Sequence, residues 1–204
     1  MAISRIKTSS VLQGFPKSRS LLAGNTAFNP SSYESIATVT VGSGGSSNVE
    51  FTSISSDYAH LQIRGIAKWS DTSDDRQLMQ VQFNSDTGSN YSRHLLGGNG
   101  SSAYVDGVAS TTARAGARLI SSNASYANMF TAYIIDILDY TNTNKYTTVR
   151  TLGGFDTNGG SFQEIVLGSF LWQNTAAITT IKLLPGSVNF AQYSQFALYG
   201  IKGA

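Results

Sequence analysis

From Tyr33 onward, apolar residues recur at every second position in short runs, and turn residues interrupt these runs roughly every 10 to 20 residues. In AHLQIRGIAKW, the residues Leu61, Ile63, Gly65, Ala67 and Trp69 share one face, while His60, Gln62, Arg64 and Lys68 share the other. QLMQVQF sets Met79, Val81 and Phe83 inward against Gln80 and Gln82, and the closing QFALYGIK is apolar on both faces. A period of two is that of a β-strand with one wet and one dry side. No window sustains the helical 3.6-residue period over three turns. ASTTARAGARL (109–119) has room for one helical turn at most, since Gly116 and the threonines oppose it. Clusters of Gly and Ser at 42–47, 97–102 and 153–160 read as loops or tight turns. Short strands without crossover helices predict an all-β fold, an antiparallel β-sandwich and within that class a jelly roll, with an immunoglobulin-like sandwich as the near alternative.

Composition agrees with that pattern. Only 13% of the 204 residues are charged, and Tyr and Phe number ten each, so aromatic and β-branched packing rather than helical ion pairs must hold the body together. The length suits one core and is short for two. The absence of cysteine excludes a disulfide framework, a thiolate metal site and a cysteine nucleophile. No apolar run approaches the ~18 residues of a membrane helix, and the N-terminus lacks the apolar stretch of a signal peptide.

Charge divides the chain. Residues 1–33 hold Arg5, Lys7, Lys17 and Arg19 and no acid, or +4, whereas the remainder holds ten basic residues and twelve acids, or −2. The arm's short apolar pairs are poor material for an independent core. Two parts are therefore expected: an extended anchoring arm at 1–33, and a β-sandwich at 34–204. The arm would bind a neighbouring subunit through Arg5, Lys7, Val11, Leu12, Phe15, Lys17, Arg19, Leu21 and Leu22. A net charge of +2 does not argue for nucleic acid.

Catalytic and metal chemistry find little support in the residues. Asp136 and Asp139 lie in the apolar run YIIDILDY, but three residues apart on a strand they point to opposite faces and cannot converge on one substrate. Asp139 with Thr141, Asn142, Thr143 and Asn144 is expected to shape a hairpin turn, and Asp136 to form a cross-strand ion pair with Arg150 on the returning strand. FNSDTGSN begins like a calcium loop at Asn84 and Asp86, yet Gly88 takes a ligand position, Ser89 the place of the turn glycine and Leu95 that of the closing acid. SDTSDDR, with Asp71, Asp74 and Asp75, reads as a solvated loop. His60 and His94 are too few for a three-histidine zinc site, and neither a GxSxG elbow nor a GxxxxGK[ST] phosphate loop occurs. No catalytic residue, cofactor or metal is assigned, and the chain reads as a non-enzyme. The expected surface chemistry is aromatic: Tyr91, Tyr104, Tyr126 and Trp172, in or beside loops, are candidates for binding glycan or protein.

The phrases YESIATVTVGSGG (33–45), YAHLQIRG (58–65), FNSDTGSNYSRHLL (83–96), IDILDYTNTNKYTTVRTLGG (135–154) and FALYGIK (196–202) occur in one order. Together they resemble a family of small β-rich virion structural or tail-fibre-like proteins of tailed bacteriophages, marine and cyanobacterial phages among them, over about residues 33–203. The resemblance implies a structural protein made in the host cytoplasm and placed in the virion. It implies a surface appendage of tail-fibre or receptor-binding type, held by its arm to capsid, collar or tail subunits. A homotrimer meeting host glycan or protein is the implied assembly, without nucleic acid or membrane insertion. A capsid decoration protein is the alternative, and a glycan depolymerase a more distant one. The family brings no catalytic motif, and the arm lies outside the resemblance.

Overall fold

The computed structural model describes residues 32–72, 76–112, 118–120, 126–158, 163–186 and 188–202. The chain divides into two units, Met1–Ser32 and Tyr33–Ala204. The fold is that of the second; the anchoring residues expected in the arm lie outside the described residues.

Strands run in the order β1 (Tyr33–Thr40), β2 (Val49–Phe51), β3 (His60–Ala67), β4 (Arg76–Leu78), β5 (Gln80–Phe83), β6 (Tyr91–Gly98), β7 (Ala103–Thr111), β8 (Arg118–Ile120), β9 (Thr131–Leu138), β10 (Thr147–Phe155), β11 (Glu164–Trp172), β12 (Ile181–Leu184) and β13 (Gln195–Ile201). An eight-stranded sheet has the order β1-β13-β3-β9-β10-β11-β6-β7, a three-stranded sheet the order β2-β12-β5, and β4 pairs with β8. Every one of these pairings is antiparallel.

One apolar core joins the two larger sheets. Leu61, Ile63, Ile135, Ile137, Val166, Phe170, Trp172, Phe196 and Leu198 come from the eight-stranded sheet and meet Val49, Phe51, Val81, Phe83, Ile181 and Leu183 of the three-stranded one. The β-sandwich predicted from alternation is the fold. Its eight-to-three division of strands does not establish the jelly roll.

Alternation placed Leu61, Ile63, Ala67, Trp69, Met79, Val81 and Phe83 inside, where all are buried. It erred where glycine occupies a strand. Gly97 and Gly98 end β6, and Gly153, Gly154 and Phe155 end β10, so two stretches expected as loops are partly sheet. At Gly97 the reason is a close approach: a Cβ there would lie 2.1 Å from the ring of Tyr104, which crosses over from β7. Lys68 is a second correction. Expected on the wet face, it is 3% exposed; its Nζ donates to the carbonyls of Tyr126 and Ala127 and stands 5.6 Å from the centre of the Phe130 ring. Burial holds its ammonium below the ordinary lysine value.

Candidate docking face

The two faces of the eight-stranded sheet differ in what covers them. The inner face carries the core, whereas the outer face carries side-chain rows that run level across the strands because the ladders are in register, three of them consecutive from a polar row toward the Gly98 end of β6. The polar row runs Tyr199, Gln62, Asp136, Arg150, Ser169, His94, Gly107. The next runs Ala197, Arg64, Ile134, Leu152, Leu167, Leu96, Val105, and is apolar over five consecutive strands. The third runs Gln195, Ile66, Ala132, Gly154, Ile165, Gly98, Ala103.

Six of the eight exposed large apolar residues among those described belong to the last two rows, with exposures from 45% at Ile66 to 80% at Val105. Together they offer on the order of 600 Å² of apolar surface, at the top of the range for the largest patch on a monomer and near the ~800 Å² each partner commits to a stable interface. Apolar area of that size has a favourable free energy of transfer out of water, of order 25 cal/mol per Å².

The face has relief. Around β3, β9 and β10 a concavity of about 760 Å³ is floored by Ala132, Gly154 and Ala197 and walled by Ile66, Ile134, Leu152 and Ile165. Across β11, β6 and β7 the side chains of Leu167, Leu96 and Val105 are each more than half exposed, and Leu96 and Leu167 with Leu152 and Ile165 line a smaller concavity of about 300 Å³.

Hydrogen bonds fix the polar row. Gln62 Oε1 accepts from the Tyr33 hydroxyl and, at 2.6 Å, from Arg64 Nε, while Gln62 Nε2 donates to Asp136 Oδ1 at 2.6 Å. The Arg64 guanidinium lies 5.3 Å from the centre of the Tyr33 ring, which stacks on Tyr199 at 4.8 Å. Burial raises the Tyr33 phenol above its ordinary value, with Arg64 opposing the shift. Arg150 stands directly opposite Asp136 in the ladder, but the Asp136 carboxylate accepts from Gln62, and no Asp136–Arg150 ion pair forms among the described residues, so the expected cross-strand pair is not made.

The aromatic candidates are not on this face. Tyr91, Tyr126 and Trp172 are buried, which removes them as surface-binding residues. The Tyr91 hydroxyl donates to the carbonyl of Asp86 and accepts from the Phe83 amide, and burial pushes its phenol up to about 12. Tyr104 is half-buried over Gly97, its hydroxyl donating to Glu164. Aromatic residues beside loops were mistaken for surface because this sandwich closes its core up to the strand ends.

The acids have structural employment. The Asp86 carboxylate accepts from Gly88 N at 2.8 Å, Asn90 Nδ2 at 2.9 Å and Trp172 Nε1 at 2.8 Å. Desolvation would raise its pKa, but bonds from Asn90, Trp172, Gly88 and Asn174 outweigh that and hold it below the ordinary value. Asn84, at φ 49°, accepts from the Thr179 and Thr180 amides and donates to Ala177 O, so FNSDTGSN is a turn tied to the 174–180 loop. Asp139, also at φ 49°, caps the β9 to β10 hairpin and pairs with Lys145, whose hydrogen bond holds the carboxylate below its usual range. The Asp139 amide donates to His60 Nδ1 at 3.0 Å. Asp74 and Asp75 lie outside the described residues. Among the described residues no three His, Asp or Glu side chains gather as a metal site would need.

Sequence reasoning missed the outer apolar rows. The signal was present in YSRHLLGG and EIVLGSFLW, where Leu96, Ile165 and Leu167 occupy positions that alternation assigns to water. Compared with protein-family models, with curated proteins and with solved structures, the chain finds no match in any of the three.

Proposed function

We propose that this chain is a structural subunit of a bacteriophage particle, a surface appendage module of tail-fibre or receptor-binding type that docks to neighbouring virion subunits. The observation that carries the docking role is the in-register apolar row from Ile134 to Val105 on the outer face of the large sheet. A side-chain array of that extent fits a protein partner better than a small ligand, whose sites are enclosed and set with a few convergent polar groups. The phage assignment comes from the ordered phrases between Tyr33 and Lys202. Anchoring by the basic, apolar-dotted arm belongs to the same reading.

Immunogold electron microscopy of purified particles, with antibody to residues 34–204, tests it. Label on tail or collar is the expected outcome. Label around the whole head would replace the appendage with a decoration protein, and particles without label would overturn the virion reading.

A further inference from the structure

We infer that the outer face of the eight-stranded sheet is a contact between two copies of this chain, packed face to face about a two-fold axis that runs along β10. The inference rests on reading that face as a docking surface, and it names the partner. Strand order supplies the first argument. β10 has β9, β3, β13 and the edge strand β1 on one side and β11, β6 and β7 on the other, so β1 alone lacks a counterpart. A two-fold axis lying in the contact plane and along β10 sets each strand of one group against its counterpart: β9 on β11, β3 on β6, β13 on β7. The larger concavity lies on the first side and the exposed side chains of Leu167, Leu96 and Val105 on the second, so each copy sets those side chains over the other's larger concavity. An axis across the strands would instead set each larger concavity against its own counterpart and leave both empty.

The level rows then say which side chains meet. Ile165 falls opposite Ala132, Ile66 opposite Gly98, and Val105 opposite Ala197. These three pairs set a large residue against a small one, which favours interdigitation of two sheet faces at the ~10 Å separation of aligned sandwiches. The same register sets Ile134 against Leu167 and Arg64 against Leu96. Leu152 meets its own counterpart at the axis. Arg150 also approaches its counterpart there, with Asp136 on the neighbouring strand opposite it in the ladder. The aligned packing angle of about −30° puts the axis some ~15° from the strand direction, so these pairings hold near β10 and loosen toward the sheet edges. The apolar area on offer, on the order of 600 Å² from each copy and so about 1,200 Å² in all, reaches the lower end of the range for a stable two-fold contact.

The experiment is sedimentation velocity of the full chain over roughly 1 to 100 µM, with circular dichroism as the folding control. Wild type is expected to dimerise in that range. Ala132→Ile crowds the seat of Ile165, and Ile165→Ala empties it; each enters the dimer twice and should weaken association about tenfold or more. The double variant Ala132→Ile with Ile165→Ala exchanges large for small and should recover most of the wild-type affinity. Leu152→Asp, which brings two carboxylates together at the axis, should abolish the dimer without loss of fold. A monomeric or trimeric wild type, an undiminished Leu152→Asp dimer, or a double variant as weak as the product of its singles would overturn the inference. Should wild type stay monomeric while gold labelling still places the protein on particles, the docking reading stands with a different virion protein as partner, and only the two-fold contact falls.

Discussion

The inner and outer faces of the eight-stranded sheet are built on one backbone with one register, yet they meet different surroundings. On β11 the inward residues Val166, Phe170 and Trp172 are buried, while the outward Ile165 and Leu167 are as apolar and more than half exposed. The inner face is committed to folding, because the three-stranded sheet covers it within the same chain. The outer face has side chains fit for burial and, among the described residues, no element of the chain that buries them. Apolar alternation in a strand therefore reports how many partners a face has, and a strand apolar on both sides announces a second partner.

The sharpest way to separate the faces is to truncate one residue on each. Trp172→Ala, on the inner face, should cost about 3–5 kcal/mol in urea unfolding, since it opens the core and removes the indole that donates to Asp86. Next in size is Asp86→Ala, expected to cost about 2–3 kcal/mol through the lost bonds to a charged acceptor. Because the folded pKa of Asp86 lies below its ordinary value of 3.8, its contribution is complete above that pH and disappears as pH falls through the lower folded value. An acid titration of stability should thus show a limb in wild type that is reduced in Asp86→Ala, and equal limbs would contradict the assignment.

Gly97→Val, on the inner side of β6, should cost about 1–3 kcal/mol by forcing the Tyr104 ring from its place, read as a lower melting temperature. On the outer face the effect on folding should be smallest: Leu167→Asp should shift the stability of the monomer by no more than about 0.5 kcal/mol while abolishing association. A folding loss as large as that of Trp172→Ala would break the comparison.

Much of the inner face was legible in the sequence, because β3 and β5 alternate cleanly and their dry positions are buried. Neighbour relations were not, since β6 and β11 pair across many intervening residues and nothing local states it. Gly153 and Gly154 looked like loop residues because the close approach that calls for glycine comes from β11; a Cβ on Gly154 would lie 2.6 Å from the Glu164 carbonyl oxygen. Lys68 looked wet because its cover, the carbonyls of Tyr126 and Ala127, is distant in sequence. The candidate site was legible only in part. Leu96, Leu152, Ile165 and Leu167 were visible as apolar residues, but their union into one surface depends on the register of four ladders.

On this reading the outer face of the eight-stranded sheet is built to be covered by protein. Hydroxyl-radical footprinting of the purified chain, below and above its association concentration, reads that coverage side chain by side chain. The account predicts protection of Leu96, Leu152, Ile165 and Leu167 on association, with Tyr146 and Tyr193, exposed elsewhere, labelled equally in both states. Equal labelling of the four outer-face residues in the associated and dissociated chain would contradict it.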